Sequence, residues 1–371
     1  MAWPTVTIII QNLMQGPIAT VDNHFLYVGY GTVTGEERAL YMVDSTSDNL
    51  DEQLKDANPD YLANIKAAQL NAKQDWTAGV LILDEGDNWQ DAVKKANEVA
   101  SFEGIVLHIP ATDKTLIESA VALRTELKAT LGREVFVICR LPEINDDPTA
   151  GQTWEQYIAA SIAIVTEVAS EYVTVVPTVH EDLDTQGKYA GRLANGEVSI
   201  ADSPARVMTG SVLGKTDFMT DKNGDSLQLA HLKALEAGRL SVPMNYPDYP
   251  GQHWTTGNTL DVPGGDYQDI RHIRVAMKAA RFVRIRAIAR IGDRKFNSTP
   301  ASIEAAKVYF TQDLRRMART GNPGEILPPE DEDISIKWVT NEEVEIYMQV
   351  QPYDCPVKIK VYISVKKGEL A

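Results

Sequence analysis

Four short runs constrain the fold most: 79–83 (GVLIL), 105–109 (IVLHI), 135–141 (VFVICRL) and 172–176 (YVTVV). Each is apolar along nearly its whole length instead of alternating. Strands read that way when both of their faces are covered. Around them lie stretches with helical spacing at 50–72, 89–100, 114–131 and 154–170. Strand and helix alternating at this interval predict an α/β fold: an open, mainly parallel sheet with flanking helices on both sides. Ahead of it, 24–31 (HFLYVGYG) and 39–43 (ALYMV) read as two strands paired through a glycine-rich hairpin. Gly29, Gly31 and Gly35 do not make a dinucleotide fingerprint, because the third glycine is one place late and no helix follows.

A chain of 371 residues, 44% of them hydrophobic, can bury two domains. Its longest apolar run, 5–10, is far too short to span a bilayer. The N-terminus lacks the basic start and apolar centre of a signal peptide. Of two cysteines, Cys139 sits in an apolar run and Cys355 beside Pro356, which supports neither a disulfide framework nor a metal site. The expectation is a soluble cytoplasmic protein without cofactor. A net charge of −16 argues against general affinity for nucleic acid or anionic membrane. The charge is uneven, however: residues 266–320 hold thirteen Lys and Arg against five Asp and Glu.

Three features invite a chemical reading. Residues 208–218, MTGSVLGKTDF, end like a phosphate loop at Gly214-Lys215-Thr216. Only three residues separate Gly210 from Gly214, where four are needed, and turn chemistry follows in place of a helix; a surface turn is preferred. The strand ends supply Asp84 to Asp87, His108, Arg140 to Glu143 and His180 to Asp182, where α/β sheets carry ligands. None has metal-ligand spacing, and no Gly-x-Ser-x-Gly elbow is present; helix caps and turns explain the acids. Residues 221–225 resemble a calcium loop, but the glycine is misplaced and Leu232 stands where a bidentate Glu belongs.

A helix at 227–238 precedes 243–265, a Pro-, Gly- and aromatic-rich loop that marks a domain boundary; His253 beside Trp254 there reads as a fixed loop residue. In the basic segment that follows, apolar Ile270, Ile273, Met277, Ala280 and Ala287 share one face. Arg271, Arg274, Lys278 and Arg281 form a neighbouring stripe. Such a helix buries one face and presents a cationic one. A second helix starts at Ser298-Thr299-Pro300 and carries Lys307, Arg315, Arg316 and Arg319. The C-terminus is β: 334–340 and 344–350 form a hairpin, and 357–365 alternates with a near-strict period of two. Both ends are therefore short strand-forming segments, and an unpaired strand is a liability unless something pairs with it. The organisation expected is an arm (1–20), an α/β domain (21–242), an α+β domain with the basic helices (243–352) and a second arm (353–371).

This order of elements, with the stretches Trp254 to Leu260, Ile270 to Arg274 and Cys355 to Val361, resembles the contractile tail sheath proteins of bacteriophages. Tyr189 to Asn195 and Ser199 to Pro204 are similar to the Mu-like branch. The resemblance implies a subtilisin-like α/β domain without a catalytic triad, hence no enzyme. It implies a homopolymer of hexameric rings forming a helical tube around an inner tail tube protein, with baseplate and tail terminator proteins at its ends. Nucleic acid and membrane insertion are not implied. The sheath would be assembled in the host cytoplasm, reside in the virion tail and contract without ATP by rearranging a metastable packing. It implies strand arms given to neighbouring subunits, formed by Thr5, Val6, Thr7, Ile8, Ile9 and Ile10 and by Val357, Lys358, Ile359, Lys360, Val361, Tyr362 and Ile363. Lys307, Arg315, Arg316, Arg319, Arg271 and Arg274 would face the inner tube. Two other readings are a nucleotide-binding α/β enzyme and a ring-forming capsid or terminator component.

Overall fold

The computed structural model describes residues 21–33 and 38–365; the expected arm strand at 5–10 lies outside them. The strands of the first part are β1 (Phe25–Tyr30), β2 (Leu40–Asp44), β3 (Thr77–Leu83), β4 (Gly104–Pro110), β5 (Phe136–Glu143), β6 (Ser170–Thr178), β7 (Pro243–Asn245), β8 (Gln252–Trp254) and β9 (Thr259–Leu260). Its helices are α1 (Leu50–Gln53), α2 (Pro59–Ala72), α3 (Trp89–Val99), α4 (Lys114–Leu131), α5 (Trp154–Thr166), α6 (Thr185–Leu193) and α7 (Leu229–Ala237). Then come α8 (Ile270–Ile288), α9 (Pro300–Met317) and a hairpin of β10 (Ile334–Trp338) and β11 (Val344–Met348).

The main sheet runs β2-β3-β1-β4-β5-β6-β9. Its five central strands are parallel, and β2 and β9 close the edges antiparallel. Side chains alternate across it. Leu26 and Val28 join a core with Val93 of α3, Leu123 of α4, Trp154 of α5 and Leu235 of α7. Phe25 and Tyr27 face the other way, onto Ile65 of α2, Tyr189 of α6 and Ile273 of α8. This period of two is the pleat itself, and it shows why the central strands need apolar residues at every position.

Several expectations are corrected. The segments 24–31 and 39–43 do not pair, because β3 inserts between them. With Phe25 to Val28 all buried, β1 needs a neighbour on each side and a cover on each face. Gly29 there makes no hairpin: a Cβ would sit 2.6 Å from the Tyr61 ring. The helix over 50–72 is broken, with α2 restarting at Pro59, whose ring disfavours helical geometry at Asn58. The boundary at 242/243 falls too early, since β9 completes the main sheet beside β6 and Trp254 is fully buried in its core.

One helix was absent from the expectations. Every residue of α6 is buried, so it carries no amphipathic stripe. Gly187 and Gly191, four apart, let it press against α2, where added Cβ atoms would meet Asn64 O at 2.0 Å and Ala68 O at 2.3 Å. The C-terminal unit packs Phe310 of α9 against Ile334 and Ile336 of β10. The long helix α8 belongs to both units: Ile270, Ile273 and Met277 enter the sheet core, while Val275 and Ala279 pack with Leu314 and Met317.

Candidate assembly surfaces

Past Pro352 the chain leaves the body. Arg271 Nη1 donates to the Tyr353 carbonyl at 3.2 Å, and from Val357 to Val365 the backbone pairs with no described strand. Its alternating apolar side chains stand in solvent: Ile359 is 73% exposed, Val361 74% and Ile363 89%. Nearby in sequence, the β10–β11 hairpin and the turn that leads into it are strongly acidic, with Glu330, Asp331, Glu332, Glu342 and Glu343 exposed. The arm carries Lys358 and Lys360.

The cationic stripe of α8 is not a surface. Arg274 is buried, its Nε 2.7 Å from Glu103 Oε1. Arg271 is 8% exposed and pairs with Asp269. Lys278 reaches Asp22 and Glu325, and Arg281 reaches Asp22. Arg271 and Arg274 therefore cannot meet an inner tube without unpairing buried carboxylates, and that expectation is corrected. At the C-terminal end of α9, Arg315 and Arg316 are exposed, as is Arg319 just beyond it. Arg316 contacts Asp313 at 3.3 Å, and Lys307 pairs with Glu304 one turn away.

The chemical candidates resolve into structural roles. Lys188 and Arg192 of α6 donate to the carbonyls of Lys215 and Gly210, and the amides of Val212 and Leu213 bond Gln252 O and Asn71 Oδ1. The loop thus gives its inward donors to protein acceptors, while Lys215 pairs with Glu181 at 2.6 Å. No helix begins there, so the phosphate reading fails. His180 accepts from the Thr185 hydroxyl at Nδ1 and donates from Nε2 to Gln252 Oε1 at 2.7 Å. The Thr185 oxygen already accepts two backbone amides, so its proton points at Nδ1. Burial, then the Lys188 charge, lowers this imidazole to about 3. The His108 hydrogen bond, with Arg140 alongside, holds Asp60 at about 2 despite partial burial. Among the described residues no group of His, Cys, Asp and Glu could hold a metal, and no helix is long and apolar enough to cross a membrane.

Three solved sheath structures share this architecture. The sheath of an extracellular contractile injection system (PVC) in its contracted state aligns with a TM-score of 0.62 at 12% identity, covering 98% of each chain. The contracted helical sheath of the anti-feeding prophage aligns at 0.59 and 13% identity, over 100% of this chain and 99% of that one. A sheath tail protein from Desulfitobacterium hafniense aligns at 0.56 and 12%, over 94% and 96%. The fold is therefore that of the contractile-sheath class. The sequence is more specific. Residues 3–258 match the family described as DUF2586, N-terminal domain, and 266–368 its C-terminal domain. The protein named for the tail sheath in Haemophilus phage HP1 (strain HP1c1) is 41% identical over 378 residues, 99% of both chains. The chain belongs to the DUF2586 family of phage tail sheath proteins, virion tail components that polymerise into a helical sheath and contract. The break between the two matched segments, 259–265, falls where β9 ends the main sheet.

Proposed function

We propose that this subunit surrounds an inner tail tube and drives it through the host envelope when the sheath contracts. Each subunit gives its terminal strands to neighbours, completing their sheets by main-chain hydrogen bonds. The observation that carries this is the 357–365 segment, whose alternating apolar side chains stand in solvent with no described strand beside them. The acceptor is the β10–β11 hairpin of another copy, a two-stranded sheet with room to grow, whose acids suit Lys358 and Lys360. Thr5 to Ile10 serve as the second arm. Baseplate and tail terminator proteins bound the polymer, which assembles in the host cytoplasm. The energy comes from the difference between two packings, so the protein needs no ATP or cofactor and is not an enzyme.

The test is truncation after Tyr353 and, separately, Ile359→Pro, examined by negative-stain microscopy and thermal melting. Proline removes a ladder donor and fits a central strand poorly. Both variants are expected to melt cooperatively like the full chain but to form no tubes. Tubes from either variant would refute strand donation. Loss of the melting transition would mean that the segment closes the subunit's own sheet.

A further inference from the structure

The residues just after the N-terminal segment are gripped one by one. Asp22 accepts from Lys278 at 2.7 Å and from Arg281 at 2.6 Å. The Asn23 side chain accepts from Arg274 at 2.8 Å, while its amide donates to Glu103 at 2.6 Å. His24 bonds Thr77 and stacks on Phe102. At the other end, the last hold on the C-terminal arm is Arg271 on the Tyr353 carbonyl, with Asp269 fixing the guanidinium. Arg271, Arg274, Lys278 and Arg281 all lie on α8. The roots of both terminal segments are thus tied to one helix, about 15 Å apart along its axis.

We propose that α8 is the mechanical link between the two arms of a subunit: a pull on residues N-terminal to Val21 reaches the root of the C-terminal arm through Asp22, the α8 stripe and Arg271. The proposal rests on the strand-arm reading for its biological use, but not for its test. A helix is suited to the task because each turn shares the load over its hydrogen bonds and α8 is capped by Asp269 at its first turn. The path runs beside the start of the main sheet, where Glu103 ahead of β4 is bonded by both Asn23 and Arg274. Subunits linked this way can rotate against one another while tension between the two arms passes along α8, which both units grip.

The experiment pulls the single full-length chain between handles at its two termini at constant force. It compares Asp22→Asn, Arg271→Met and the double variant by the lifetime before the first rupture. Arg286→Gln is the control: it lies on α8 but off the proposed path, and it breaks an ion pair to Asp313 of α9. Each single change is expected to shorten the lifetime about tenfold, the equivalent of about 1.4 kcal/mol, and the control to leave it unchanged. Links in series fail independently, so their rupture rates add and the double variant breaks about twentyfold faster. Lifetimes insensitive to both changes, equally shortened by the control, or multiplied about a hundredfold in the double would overturn the link. If Arg271→Met does not fold, Arg271→Lys, which keeps the charge but loses the fork, replaces it. Because no polymer is involved, a failed arm truncation test and a failed pulling test are separate results.

Discussion

Arg274 and Glu103 meet inside the molecule through two parallel hydrogen bonds, 2.7 Å from Nε to Oε1 and 2.8 Å from Nη2 to Oε2. Their side chains are 4% and 0% exposed. Two further donors go to the Leu193 carbonyl and Asn23, so each guanidinium nitrogen and both carboxylate oxygens have a partner. It joins α8 to the start of β4. Removing one partner strands the other charge in the core, which typically costs about 3–5 kcal/mol. Arg274→Met and Glu103→Gln should each lower the urea midpoint accordingly. The double Arg274→Met, Glu103→Leu should recover much of the loss, since no charge is then left unpaired. A double variant as unstable as the sum of the singles would contradict this account.

His180 sets an acid limit. Its folded value of about 3 lies below the ordinary value of about 6.5. The fold therefore binds fewer protons here than the unfolded chain does. Stability is complete above about pH 6.5 and falls as pH drops toward 3, by on the order of 4 kcal/mol for this group. Burial pushes His24 and His108 the same way. Urea unfolding from pH 7 to pH 4 should show a falling midpoint, and His180→Gln should be less stable at pH 7 but show a shallower decline. An unchanged slope in that variant would assign the acid sensitivity elsewhere.

The parallel sheet was legible because doubly covered strands must be apolar at every position, a pattern written locally. What escaped reading was set by distant partners. The stripe Arg271, Arg274, Lys278 and Arg281 has helical spacing, but spacing does not say whether water or carboxylates lie opposite. Glu103 is 171 positions from Arg274 and Asp22 is 259 from Arg281. The same holds for α6: Gln186, Lys188 and Arg192 look like a polar surface turn, yet each is buried on carbonyl or carboxylate partners. Only its glycines four apart hinted at a close helix contact. The alternation along 357–365 was readable because it needs no tertiary partner, and the structure leaves that segment exposed and unpaired among the described residues.

Lys215 is a sensitive check on the abandoned phosphate loop. Its ammonium and Glu181 are each about half exposed, and surface pairs of this kind contribute little. Lys215→Ala should leave the urea midpoint essentially where it is and tube formation intact. ATP turnover by the wild-type chain that disappears in this variant would overturn the structural reading.

With Arg271 and Arg274 committed inside, the exposed cations of α9 are the stronger candidates for the inner tube. Arg315 and Arg319 have no ion pair among the described residues, and Arg316 shares Asp313 with Arg286. All three sit at the helix C-terminus, where positive charge also suits the dipole, so stability alone does not require a partner. Charges at a docking face steer encounter and register more than they add affinity. Reversing Arg315 and Arg316 to Glu should therefore leave the subunit folded and able to polymerise, while tubes decorated with it lose their fixed registration. The wild-type contact should weaken in 1 M salt, where screening reaches about 3 Å. Cryo-microscopy of decorated tubes checks both. If the double variant seats in register, or salt leaves the wild type unaffected, these arginines serve only the solvated end of their own helix.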